Sequence, residues 1–186
     1  MPFMATATGY AWFDTPLGDC AIVWSDAGVR GLMLPGADRT RTRASLRRRH
    51  PQAAEAPMPP AVAAAVTSLR ALLAGQPLAL DEVALDMDDV PVFHRRVYEA
   101  ARRIGPGRTC TYGELAGALG EPGAARAVGQ ALGANPFAII VPCHRVLAAG
   151  GKPGGFSAPG GVSTKLRLLA TEGSSTFQLT GGGPGT

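Results

Sequence analysis

Three cysteines and three histidines are all that the 186 residues carry, and aromatic side chains make up only 6%. Cys20, Cys110 and Cys143 cannot all pair, and no two of them show C-x-x-C spacing. That argues against a disulfide scaffold and for a reducing, intracellular setting, so a cytoplasmic location is expected. The cysteine and histidine spacings hold no zinc signature, and no metal is expected. No apolar run approaches the roughly 18 residues of a membrane span, which excludes a membrane-embedded helix. Met1-Pro2-Phe3-Met4 lacks the basic start and apolar stretch of a secretory signal. No internal repeat is evident. What remains is a hydrophobic fraction of 46%, ordinary for a globular chain with a real core. The net charge of +4 permits attraction to nucleic acid without requiring it. Much of that excess lies in Arg39, Arg41 and Arg43 and in Arg47-Arg48-Arg49. The plainer expectation there is the solvated face of a short helix, and contact with DNA stays open.

Pattern divides the chain near residue 89. Residues 10–14, 19–25 and 29–34 are expected to form an antiparallel meander. Thr15-Pro16-Leu17-Gly18 and Asp26-Ala27-Gly28 supply the turns, and Cys20, Ile22 and Trp24 alternate onto one face. Residues 40–50 can be helical, and 51–60 is a proline- and alanine-rich connector. Residues 61–73 carry Val62, Val66, Leu69 and Leu73 at helical spacing, stopped by Gly75. A further strand is expected within 78–87. Pro91 opens a helix through residue 103 with Val92, Phe93, Val97 and Ala100 or Ala101 inward. Two short helices follow, from Thr111 to Gly120 and from Ala124 to Gly133, joined by a Gly-containing turn that fits a helix-turn-helix. The expected architecture is α/β in two parts: a small N-terminal domain (1–88) with a short antiparallel sheet, and a mainly helical C-terminal domain (89–173). Residues 174–186, rich in Gly and Ser, are expected to be a flexible tail.

The chemistry concentrates at Pro142-Cys143-His144-Arg145-Val146, directly after the apolar run 137–141. Thiolate is the reactive form of cysteine, and an ordinary thiol near pKa 8.5 is only about 3% ionised at neutral pH. A neighbouring base is the usual remedy. A bare Cys-His pair also fits a buried structural cysteine beside a surface histidine.

The surroundings favour chemistry. Thr111-Tyr112-Gly113-Glu114-Leu115-Ala116, then Ala125-Arg126-Ala127-Val128-Gly129, then Asn135-Pro136 leading into the Cys-His run, and finally Gly160-Gly161 through Lys165 to Glu172-Gly173 occur in one order. In these pieces the chain resembles the O6-alkylguanine-DNA alkyltransferases, or methylated-DNA–protein-cysteine methyltransferases. The resemblance covers residues 112–173 strongly, reaches back weakly to Val90, and extends faintly to the N-terminal meander, which it makes ribonuclease H-like. It implies irreversible, single-turnover transfer of the O6-alkyl group of a flipped guanine to Cys143, with no cofactor. The implied partner is double-stranded DNA containing O6-alkylguanine, with no membrane, no obligate protein partner and a monomeric state.

Roles carried over by position follow the same resemblance. Cys143 is the nucleophile, His144 the proton acceptor through a bridging water, and Glu172 the support of the imidazolium. Asn135 pins the active-site turn, a role that coexists with a C-cap or an Asn-Pro turn. Tyr112 contacts the guanine, although a tyrosine at a helix start more often packs. Arg126 fills the vacated base stack, or else meets phosphate or solvent. Ala125, Ala127 and Gly129 are small enough to let their helix approach the minor groove, or to pack tightly on another helix. Val146, Phe156, Ser157 and Arg145 complete the substrate pocket, with Ser157 offering a hydroxyl to O6. The loop around Ala158-Pro159 is two residues longer than in better-known members, and Phe156 stands where tyrosine is common. Pocket size is therefore open. Two other functions compete: an alkyltransferase-like module that binds damage without accepting the group, disfavoured by Cys143, and a Cys-His-Glu hydrolase, which leaves the helix pair unexplained.

Overall fold

The computed structural model describes residues 8–174. Three strands, β1 (Gly9–Thr15), β2 (Gly18–Ser25) and β3 (Gly28–Met33), form the antiparallel meander. A two-residue β4 (Ala54–Glu55) adds parallel to β1, giving the order β3-β2-β1-β4. Gly28 makes the β2–β3 turn possible. Its φ of 145° is open to glycine, and a Cβ there would come within 2.5 Å of the Ala84 carbonyl oxygen.

Both faces of this sheet are covered. Phe13, Cys20, Ile22, Trp24 and Leu32 join a core built with Val62, Val66, Leu69 and Leu73 of helix α2 (Pro60–Leu73). Tyr10, Ala21, Val23 and Met33 face the other way and close over Leu46 of helix α1 (Arg39–Arg49). Asp38 caps α1 by accepting from the Arg41 N–H at 2.8 Å. Arg39 and Arg43 of the same helix lie over the Trp12 ring at 4.4 and 5.8 Å.

The second half is helical. It comprises α3 (Val92–Ala101), α4 (Tyr112–Ala118), α5 (Ala125–Gly133) and α6 (Gly161–Thr171), with a short parallel pair β5 (Cys110–Thr111) and β6 (Val146–Leu147). The main core runs without interruption from the sheet and α2 into Val97, Tyr98, Ala101, Val128, Ala131 and Leu168. Polar contacts reinforce it. The Leu32 N–H donates to the Pro136 carbonyl at 2.9 Å, tying β3 to the segment just before the Cys-His run.

Two expectations fail locally. Residues 78–87 form no strand. Leu85 makes a single bridge to Val29, and the carbonyls of Leu80, Asp81 and Val83 instead turn onto one guanidinium nitrogen of Arg102, at 2.7–2.8 Å. The carbonyls that a ladder would need are spent on that cation. Val92 is 76% exposed rather than inward, because it opens α3 on the solvent side while Val97, Tyr98 and Ala101 take the buried stripe. The expected tail lies outside the described residues apart from Ser174, which is buried and donates its N–H to the Leu169 carbonyl at 3.1 Å.

Candidate active site

The segment 135–141 builds a tight turn beneath the cysteine. The Asn135 amide donates to the Val141 carbonyl at 3.0 Å, and its Oδ1 accepts from the Phe137 N–H at 2.9 Å. The Val141 N–H reaches back to the Phe137 carbonyl at 2.8 Å. Closing this loop forces Ile139 to a φ of 71°, the one non-glycine in the left-handed region among the described residues. For a β-branched residue such a conformation costs of order 1–3 kcal/mol, tolerated where surrounding structure imposes it. Ile139 is buried and β3 is bonded to the same turn, so packing imposes it here.

Cys143 opens a single 3-10 turn (Cys143–Arg145) and is half-buried. Burial pushes its thiol above the ordinary value, while the Asn135 hydrogen bond and the Lys165 charge pull the other way. At rest the group is therefore a thiol. Burial pushes Cys20 and Cys110 up to about 11, which leaves both inert near neutral pH.

His144 is fully buried, and its Nε2 lies 2.8 Å from Glu172 Oε1. Glu172 is also gripped by Arg145, Nε to Oε2 at 2.9 Å and Nη2 to Oε1 at 2.7 Å, while Arg145 Nη1 donates to the Ile104 carbonyl at 2.6 Å. Burial alone would raise the Glu172 pKa, but the hydrogen bonds and charges of His144 and Arg145 overcome it and hold the carboxyl at about 2. An ionised carboxylate only accepts, so Nε2 must carry the proton. Burial lowers the His144 pKa. Glu172 opposes that shift and the Arg145 charge adds to it. The imidazole is therefore neutral, with its lone pair on Nδ1, an atom that meets no hydrogen-bond partner among the described residues.

Tyr112 is the first residue of α4. Thr111 caps that helix in a reciprocal box: its hydroxyl accepts from the Glu114 N–H at 3.1 Å, and its own N–H donates to Glu114 Oε2 at 2.7 Å. Burial raises the Tyr112 pKa, with the Cys143 charge adding, so the phenol keeps its proton. A pocket of about 390 Å³ lies among Tyr112, Gly129, Leu132, Cys143, Phe156 and Ser157. Gly154, at φ 69°, brings its loop against Tyr112, where a Cβ would come within 3.2 Å of the phenol oxygen.

The structure thus gathers Cys143, His144, Glu172, Asn135, Tyr112, Gly129, Phe156 and Ser157. Others fall elsewhere. The Val146 side chain is in the core, and its carbonyl is taken by Lys165 at 2.7 Å. Arg145 points away from the pocket, because its guanidinium matches the Glu172 carboxylate. The Ser157 hydroxyl donates to the Gly133 carbonyl at 2.9 Å instead of into the pocket. Arg126 stands exposed at the second position of α5, without an ion pair among the described residues, between the half-buried Ala125 and Ala127. Sequence reasoning missed the work of two cations, Arg145 as clamp and Lys165. Lys165 is 1% exposed, spans the Val146 and Gly155 carbonyls, and lies 5.8 Å from the Tyr112 ring centre. The available signal was its place on the buried stripe Lys165, Leu168, Leu169 of α6, where a cation needs a reason.

Comparison with known proteins adds independent findings. Residues 92–174 match the family model described as 6-O-methylguanine DNA methyltransferase, DNA binding domain. The methylated-DNA–protein-cysteine methyltransferase of Mycolicibacterium paratuberculosis is 49% identical over 114 residues, 61% of this chain and 67% of that protein. The protein of the same name from Methanothermobacter thermautotrophicus is 35% identical over 159 residues, covering 85% of this chain and 81% of the relative. Among solved structures, Mycobacterium tuberculosis OGT in complex with DNA superposes with a TM-score of 0.70 at 37% identity, over 92% of this chain and 98% of that one. The O6-methylguanine-DNA methyltransferase of Pyrococcus kodakaraensis gives a TM-score of 0.70 at 26% identity, over 89% and 99% of the two chains.

Proposed function

The chain belongs to the methylated-DNA–protein-cysteine methyltransferase family, and from that premise we propose that Cys143 is the residue that takes the alkyl group. The protein acts on DNA by direct reversal, moving the O6-alkyl group of guanine to a cysteine. The observation that carries the assignment is that Cys143 lines an open pocket of about 390 Å³ and is followed directly by a buried histidine whose Nε2 is held by an ionised carboxylate.

The reaction follows from that geometry. His144 Nδ1, through a bridging water, takes the Cys143 proton as sulfur attacks the first carbon of the substituent. The C–O6 bond breaks and its electron pair stays on the guanine oxygen. The Tyr112 phenol donates to the developing anion, and the proton held at His144 completes the neutral base. Glu172 stabilises the transient imidazolium. Burial keeps the imidazole unprotonated at rest and the Arg145 charge adds to that, so its lone pair is available when substrate arrives. The thioether has no leaving group to expel, so each molecule acts once. No step calls for a cofactor.

Delivery of the base needs the duplex opened, because the target carbon is stacked in the helix. We assign α4 and α5 as a helix-turn-helix whose second helix, lined by Ala125, Ala127 and Gly129, sits in the minor groove with Arg126 in the vacated stack. The sheet of residues 1–88 is assigned as ribonuclease H-like, beside a catalytic unit over 89–173.

Incubation with an O6-methylguanine duplex followed by peptide mass spectrometry tests the assignment. One methyl on Cys143 and none on Cys20 or Cys110 is expected. A Cys143→Ala variant is expected to bind the duplex and leave the lesion intact. Transfer by that variant would overturn the assignment.

A further inference from the structure

Helix α5 carries two polar side chains, Arg126 and Gln130, both exposed and four residues apart, so they share one side of the helix. Gln130 does no work in the fold. Its side chain makes no hydrogen bond among the described residues. Its chain neighbour Gly129 lines the pocket that Cys143 lines, and a Cβ there would lie 3.8 Å from the Tyr112 ring. Gly133, three residues on, is exposed and lines the same pocket. The side of α5 that carries Gln130 therefore runs up to the pocket rim. A Cβ at Gly133 would meet nothing within 4 Å, so no side chain crowds that part of the rim. We propose that Gln130 is a specificity-determining residue, which reads the base pair beside the lesion and favours G·C there. The proposal rests on α5 lying in the minor groove with Arg126 in the vacated stack.

A cation at this position would meet phosphates whatever the sequence, whereas a neutral amide selects its partner by the direction of its hydrogen bonds. The glutamine amide holds an oxygen acceptor and an NH2 donor in one plane. In the minor groove an A·T pair offers acceptors only, adenine N3 and thymine O2, and a G·C pair adds the guanine N2 amino donor. Against A·T the amide donates and its oxygen stays unpaired. Against G·C it donates to guanine N3 and accepts from the N2 amino group, so both ends are satisfied. Distance favours a neighbouring pair over the lesion itself. Four residues of helix rise about 6 Å, and successive base pairs stand about 3.4 Å apart. With Arg126 in the vacated position, a side chain one turn further along falls over a flanking pair. Gln130 touches neither the sulfur nor O6, so the transfer step is unchanged.

The test is single-turnover repair by the full chain, at protein concentrations below saturation, of O6-methylguanine duplexes whose flanking pair on either side is G·C or inosine·C. Inosine lacks only the N2 amino group, so the major groove is unaltered. Its loss also weakens the pair, an effect common to every variant. The quantity read is therefore the G·C-to-inosine·C rate ratio of the native chain divided by that of Gln130→Ala. Alanine suits an exposed helix position, so the variant is expected to fold. For an exposed amide the expected quotient is about three- to fivefold at one flank and about one at the other. A quotient of about one at both flanks overturns the proposal. Arg126→Ala, measured alongside, separates the two layers of the argument. If it slows duplex repair far more than reaction with free O6-methylguanine while the quotient stays at one, the groove reading stands and Gln130 alone loses its role. Equal slowing with both substrates would overturn the groove reading, and the proposal with it.

Discussion

Arg145→Met separates the chemistry of the Glu172 cluster from its architecture. In the native chain Arg145 gives Glu172 two hydrogen bonds and leaves the carboxylate only partly available to His144. Burial is the first reason that the His144 pKa lies below its ordinary value, and the Arg145 charge adds to it against Glu172. Methionine keeps much of the side-chain volume but removes the charge. Glu172 then faces His144 alone, and two unit charges about 4 Å apart at an effective dielectric near 20 attract by about 4 kcal/mol. Even a third of that moves the His144 pKa up by about one unit, since one unit is 1.36 kcal/mol. The imidazole then protonates at a higher pH than in the native chain, and protonation removes the Nδ1 lone pair. Single-turnover methyl transfer is expected to slow on the acidic side and to recover as pH rises, with the acidic limb of the pH profile moved up by about one unit. Breaking a buried pair is also expected to cost about 3–5 kcal/mol in urea unfolding. A stability loss with an unmoved acidic limb would refute the electrostatic account and leave Arg145 a structural clamp.

Acid unfolding carries the signature of the same cluster. The Glu172 pKa falls from 4.5 unfolded to about 2 folded, a difference of about 2.5 units or about 3 kcal/mol. Because the folded value is the lower one, that stability is complete above about pH 4.5 and is lost as pH falls towards 2. Lowered His144 adds a loss below its unfolded value of 6.5, since there the unfolded chain binds the extra proton. Glu172→Gln is expected to flatten the lower part of the curve, and an unchanged slope between about pH 4.5 and 2 would contradict it. Lys165→Met removes a charge that favours the thiolate and leaves two carbonyls unpaired. Slower alkylation of Cys143 by iodoacetamide, shifted to higher pH, is expected together with a loss of about 1–3 kcal/mol. Arg126→Ala is expected to slow repair of duplex DNA far more than reaction with free O6-alkylguanine, and equal slowing would remove its base-flipping role. Thr111→Ala removes one half of the capping box beneath Tyr112 and is expected to cost about 1 kcal/mol by urea titration.

Local chemistry was legible in the residues themselves. The meander announced itself through period-two alternation and its Pro-Gly and Ala-Gly turns, and α2 through Val62, Val66, Leu69 and Leu73. Thr111 and Glu114, three apart, are a capping box wherever a helix follows them. Adjacent Cys143 and His144, with Asn135 and Glu172 at the positions the resemblance matched, already marked the cluster that folding brings together. Tertiary structure alone decided what depends on who meets whom. Arg145 turns to Glu172 because folding brings α6 and the 3-10 turn together, 27 residues apart in sequence. The apolar-looking 78–87 stretch stays irregular because Arg102 collects its carbonyls. Periodicity and motif report a residue's own preferences. Charge pairing and empty volume are properties of surfaces that come together only when the chain has folded.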